Sequence, residues 1–68
     1  MNLLHTASNE DRKANIWGHG EQCYVVEFYI GNRLFKKMNV METLVDTKHI
    51  VETFLNEGRN QQLLNENV

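Results

Sequence analysis

The stretch Tyr24 to Lys37 reads YVVEFYIGNRLFKK, with Gly31-Asn32 at its centre and apolar residues on both flanks. The segment Glu21 to Ile30 (EQCYVVEFYI) is rich in β-branched and aromatic residues, the composition of a strand. Gly31-Asn32 fits a two-residue type II′ loop with glycine first, and Arg33 to Val40 (RLFKKMNV) then returns as a partner strand. Upstream, Lys13 to Gly18 (KANIWG) alternates and reads as a further strand. The tight turn His19-Gly20 joins it to the first, since glycine accepts positive φ.

Downstream, Ile50, Val51, Phe54 and Leu55 recur at three- and four-residue steps, the spacing of one helix face. Thr43 or Asp46 can cap the start, and Thr43-Leu44-Val45-Asp46 resembles a capping box. Gly58 is placed to follow the last turn, so the helix is expected to start between Thr43 and Thr47 and end near Glu57. Met1 to Arg12 is mostly polar and shows no period. The tail RNQQLLNENV is polar apart from Leu63-Leu64, which either adds a helical turn or stays disordered. The expected fold is α+β: a three-stranded antiparallel meander and one helix (β-β-β-α). It forms a single domain over 13–58, with a flexible N-terminal arm over 1–12 and a tail over 59–68.

Register decides which flank of this sheet is inside. The two tight turns pair Gly18 with Glu21, Ile16 with Cys23, Tyr29 with Leu34, Phe28 with Phe35 and Glu27 with Lys36. One face then carries Trp17, Tyr24, Val26, Phe28, Ile30 and Phe35, with Lys13, Arg33 and Lys37 at its margins. The other carries Ala14, Ile16, Cys23, Val25, Tyr29, Leu34, Met38 and Val40 around Glu27 and Lys36. One helix covers one face. The aromatic face has the larger apolar area, and a charged pair at a sealed centre is costly, so the helix is expected on the aromatic side. A three-residue loop is the rival: it pairs Ile30 with Leu34 and gathers Tyr24, Val26, Phe28, Ile30, Leu34, Met38 and Val40 on one face.

The chain has 68 residues, no proline and one cysteine, with a formal charge of −2. A domain of this size buries roughly 60% of its unfolded surface and usually needs a disulfide, a metal or a partner chain. Cys23 has no internal disulfide partner, so a homodimer is the simplest supplement. The acidic balance gives no long-range attraction to nucleic acid or anionic lipid. No apolar run is long enough for a membrane span, and MNLLHTASNEDRK lacks the layout of a signal peptide. A lone cysteine without an export signal points to a reducing, cytoplasmic setting.

Sites of chemistry are thin. His19 and Cys23 lie four apart with Glu21 between them, and no second Cys/His pair follows at ligand distance. A turn histidine and a thiol packing as a small hydrophobe is the plainer reading, so no metal and no cofactor is expected. A nucleophilic Cys23 with His19 or His49 as base lacks an orienting third group, and one helix on one sheet offers little pocket volume. Glu42, Asp46, Glu52 and Glu57 read as solvated helix charge, and no enzyme is expected.

Preceded by a tryptophan-bearing strand and followed by a short helix, YVVEFYIGNRLFKK resembles small phage-encoded proteins of hairpin-and-helix layout. The resemblance covers Trp17 to Leu55; KHIVETFL stands where those proteins have an alanine-rich helix. It implies binding to a host protein rather than catalysis, and it assigns no site residues.

The expectation is therefore a non-enzymatic protein-interaction module, homodimeric or docked on a host protein that it inhibits. Its interface would be Val25, Tyr29, Leu34 and Met38, oriented by Glu27 and Lys36. The alternative is a single-stranded nucleic-acid binder that stacks bases on Trp17, Tyr24, Phe28 and Phe35 beside Lys13, Arg33 and Lys37. Seven cations in an acidic chain weigh against it.

Overall fold

The computed structural model describes residues 1–66, with side chains through Glu57. Four strands, not three, form one antiparallel sheet: β1 (Asn2–Asn9), β2 (Arg12–Gly18), β3 (Tyr24–Ile30) and β4 (Arg33–Val40). They lie side by side in chain order, and α1 (Leu44–Glu66) follows. The architecture is α+β, but the expected flexible arm is an edge strand.

The arm orders because the polar run Asn9-Glu10-Asp11 is a turn. Asn9 pairs with Arg12 across Glu10-Asp11, and Glu10 takes a φ of 58° to close it. β1 then gains contacts beyond its ladder. Ala7 packs against the core, and the Asn9 side-chain amide donates to the Leu55 carbonyl at 3.5 Å.

The β2–β3 connection is longer than a tight turn. Gly18 pairs with Tyr24 rather than Glu21, and Ile16 with Val26 rather than Cys23. The displacement is odd, so β2 turns over relative to the expected faces. Ala14 and Ile16 come to the helix side, fully buried, and Trp17 goes to the opposite side.

The β3–β4 hairpin uses both of the registers weighed for it. Ile30 pairs with Arg33 and Tyr29 with Leu34, as a two-residue loop requires. The register then shifts, and Phe28 pairs with Lys36, Val26 with Met38 and Tyr24 with Val40, as the three-residue loop requires. Phe35 is the extra residue of this bulge, which removes the expected Phe28–Phe35 and Glu27–Lys36 pairs. Gly31 and Asn32 both have positive φ, 57° and 67°, so the loop is of the I′ kind rather than II′.

One face thus carries the core: Ala14, Ile16, Val26, Phe28 and Val40 meet Val51, Phe54 and Leu55 of α1. Ile50, Val51, Phe54 and Leu55 face inward as their spacing predicts. Phe54 is the centre of the contact. Phe28 lies 4.6 Å from it between ring centroids, Phe35 lies 6.1 Å away, and the Arg12 guanidinium sits 4.7 Å over the ring. Arg12 Nη1 also donates to the Phe54 carbonyl at 2.9 Å.

Thr43 caps α1: its Oγ1 accepts from the Asp46 N–H at 3.2 Å, and its carbonyl accepts from Thr47 Oγ1 at 2.8 Å. That second bond satisfies Thr47, the buried polar side chain of the core. The helix does not end at Glu57. It continues through Gly58 to Glu66. An interior glycine costs only about 1 kcal/mol against alanine, and Arg59, Gln61, Gln62, Leu63 and Leu64 are good helix formers. The side chains of Leu63 and Leu64 lie outside the described residues.

Candidate functional site

A single helix covers a single face, and strand alternation assigns the residues of the other. Reading across the strands, Leu3, Trp17, Val25 and Asn39 form one row of the open face. Thr6, Asn15, Glu27 and Lys37 form the next, and Ser8, Lys13, Tyr29 and Leu34 the third. Leu3 and Leu34 at the two edges are 50% and 54% exposed, while Trp17, Val25 and Tyr29 between them are half-buried.

The polar groups on this face are tied to the aromatics. Trp17 Nε1–H donates to Glu27 Oε1 at 2.5 Å, Lys13 Nζ lies 5.9 Å over the Tyr29 ring, and Thr6 Oγ1 donates to Asn15 Oδ1 at 3.0 Å. A charge-assisted bond of this kind ties the Trp17 indole to Glu27. The result is a shallow amphipathic surface with a carboxylate near its middle and Lys13 and Lys37 in the flanking positions.

The structure divides the residues expected to act together. Of the six interface residues, Val25, Glu27, Tyr29 and Leu34 share the open face, with Leu34 across from Tyr29. Lys36 and Met38 are on the helix side. They line a groove of about 360 Å³ between α1 and β4, with Phe28, Phe35, Ile50 and Phe54 as its apolar wall. The nucleic-acid set is divided as well. Trp17, Lys13 and Lys37 are on the open face; Phe28 is core, Tyr24 packs against that core, Phe35 lies over Phe54, and Arg33 is the exposed first residue of β4.

Leu3, in a segment that reads as an arm with Leu3 and Leu4 as its possible anchor, is in an edge strand, and Trp17 is on the open side rather than the covered one. The signal for β1 is the Asn-Glu-Asp cluster at residues 9–11, a turn signature. Trp17 had no local signal, because its side depends on the length of a loop.

Among the described residues no helix is long and apolar enough to cross a membrane. Comparison of the chain with family models, with curated proteins and with solved structures gives no match.

Proposed function

We propose that this chain is a small non-enzymatic protein-binding module whose open sheet face pairs with a second copy of itself. The observation that supports this reading is the sheet face that α1 does not cover, where two apolar clusters, Leu3-Trp17-Val25 and Tyr29-Leu34, flank the polar row of Thr6, Asn15, Glu27 and Lys37. A patch of this kind on a small domain is a docking surface more often than a bystander. A two-fold arrangement suits its charges, because Glu27 of one copy can meet Lys13 or Lys37 of the other.

The resemblance to small phage-encoded proteins adds a host protein, held inactive, as the eventual partner. The same face, or a strand added at the β1 or β4 edge, would receive it. Nucleic acid fits the face less well. Glu27 is held beside Trp17 by its hydrogen bond, and a carboxylate at that place repels phosphate.

The test is molar mass by light scattering over a wide concentration range, for the wild-type chain and Tyr29→Asp. The expected result is a concentration-dependent rise to the mass of two chains, lost in Tyr29→Asp with the circular dichroism spectrum unchanged. A wild-type chain that stays monomeric at every concentration removes the homodimer. Salt-dependent capture of a single-stranded oligonucleotide by that monomer would put the nucleic-acid reading in its place.

A further inference from the structure

The fourth row of the open face, at the end where Gly18 and Tyr24 pair, has a different chemistry. Asn2 pairs with Gly18, Gly18 with Tyr24, and Tyr24 with Val40. One step further along every strand the same registers bring Met1, His19, Cys23 and Met41 into line. These four residues lie just beyond the strand ends, and continuing the alternation places them on the open side, next to the row of Leu3, Trp17, Val25 and Asn39. The His19 N–H donates to the Cys23 carbonyl at 2.9 Å, which continues the β2–β3 ladder through this pair. Met1, His19, Cys23 and Met41 also line one concavity of about 340 Å³, together with Tyr24, Val25 and Asn39.

We propose that this row is a binding site for a Cu(I) ion. A thiolate, two thioethers and an imidazole are a soft donor set, and soft sulfur donors select Cu(I) over the harder divalent ions. Zinc sites draw on thiolate, imidazole and carboxylate and make no use of methionine sulfur. The geometry allows convergence. Neighbouring strands lie about 4.8 Å apart, so His19 and Cys23 are adjacent at the centre and a methionine stands on each side. Methionine has three rotatable bonds and a polarisable sulfur, so both flanking side chains can swing inward over the central pair.

Accessibility agrees with this. Met1 and Met41 are 68% and 78% exposed and so are free to move, and Cys23 is a half-buried free thiol. No hydrogen bond among the described residues engages the His19 ring or the Cys23 thiol.

The site borders the proposed self-association face and shares Val25 with it, and the experiment keeps the two apart. The reduced full chain is titrated with Cu(I) without air, in competition with bicinchoninate, and with Zn(II) in parallel. One equivalent of Cu(I) should be retained. Cys23→Ser should weaken binding by more than about a hundredfold, since even outer-shell changes at metal sites cost 10–100-fold. Met41→Leu keeps the volume of an exposed side chain and should weaken binding on the order of tenfold without altering the fold. Tyr29→Asp should bind Cu(I) as the wild type does. X-ray absorption at the copper edge should show sulfur scatterers beyond the single thiolate. The proposal is overturned if the wild-type chain yields its copper to bicinchoninate, if Met41→Leu binds unchanged, or if Zn(II) is held as tightly as Cu(I).

Discussion

Phe28 and Phe35 both touch the ring of Phe54, yet the structure predicts opposite consequences for losing them. Phe28 is 3% exposed, with its centroid 4.6 Å from Phe54 at an interplanar angle of 56°. Phe28→Ala removes a buried aromatic, which costs roughly 3–5 kcal/mol, of which about 0.5–1.5 kcal/mol is the ring pair itself. A domain of this length has on the order of 3–10 kcal/mol in total, so the variant sits close to its unfolding midpoint at room temperature. Phe35 is 63% exposed and lies 6.1 Å from the same ring. Phe35→Ala loses only part of a ring contact and should cost under about 1 kcal/mol. Urea unfolding near 10 °C, at one protein concentration and followed by Trp17 fluorescence, measures both. With a slope near 1 kcal/mol per molar urea, Phe28→Ala should lower the midpoint by about 3 M or more, and Phe35→Ala by less than about 1 M. Equal losses, or a Phe28→Ala loss below about 1 kcal/mol, would show that Phe28 is not in the layer between sheet and helix.

Four further substitutions have outcomes set by single residues. Arg12→Met keeps the stem of the side chain but removes the bond to the Phe54 carbonyl and the guanidinium over its ring; it should cost about 1.5–3 kcal/mol in the same unfolding assay. Arg12→Lys should recover little of that, because a point charge does not reproduce the flat fork. Thr43→Ala removes the acceptor for the Asp46 N–H and should cost about 1 kcal/mol, read as a lower midpoint and reduced helical ellipticity. Glu10→Gly relieves a left-handed residue at φ 58° in the β1–β2 turn and should raise stability by about 0.5–1 kcal/mol.

What the sequence disclosed tracks how local each determinant is. The inward face of α1 was legible from Ile50, Val51, Phe54 and Leu55, because helical spacing is a property of adjacent turns. The Thr43 cap was legible for the same reason. β3 and the Gly31-Asn32 loop were legible from composition. The helix's far end was not, because a glycine marks a stop only when the residues beyond it decline to continue. The side on which Trp17 falls depends on whether residues 19–23 form a tight turn or a longer loop, and nothing in HGEQC fixes that length. The bulge at Phe35 is the same problem on a smaller scale. The turn chemistry favoured one register and the apolar pattern of Met38 and Val40 favoured another, and the chain satisfies both by inserting one residue between them.

That last point governs how a site can be found in a meander. In an antiparallel sheet the positions of paired residues add to a constant between bulges, and here that constant changes once within β1–β2 and once within β3–β4, so the sequence separations along a row vary from pair to pair. Met1, His19, Cys23 and Met41 are separated by 18, 4 and 18 positions. The same arithmetic assembles the row of Leu3, Trp17, Val25 and Asn39. A search for metal-ligand spacing sees only the central His19–Cys23 pair and rejects it for want of a second pair nearby. The missing donors come from the outer strands, and they become visible only once β1 is recognised as a strand and the β3–β4 bulge has set the register of β4. Both corrections to the fold are thus preconditions for the site. If β1 were a loose arm, Met1 would have no fixed place; if the hairpin kept its initial register to the end, Met41 would lie one position out of line and on the opposite face of the sheet.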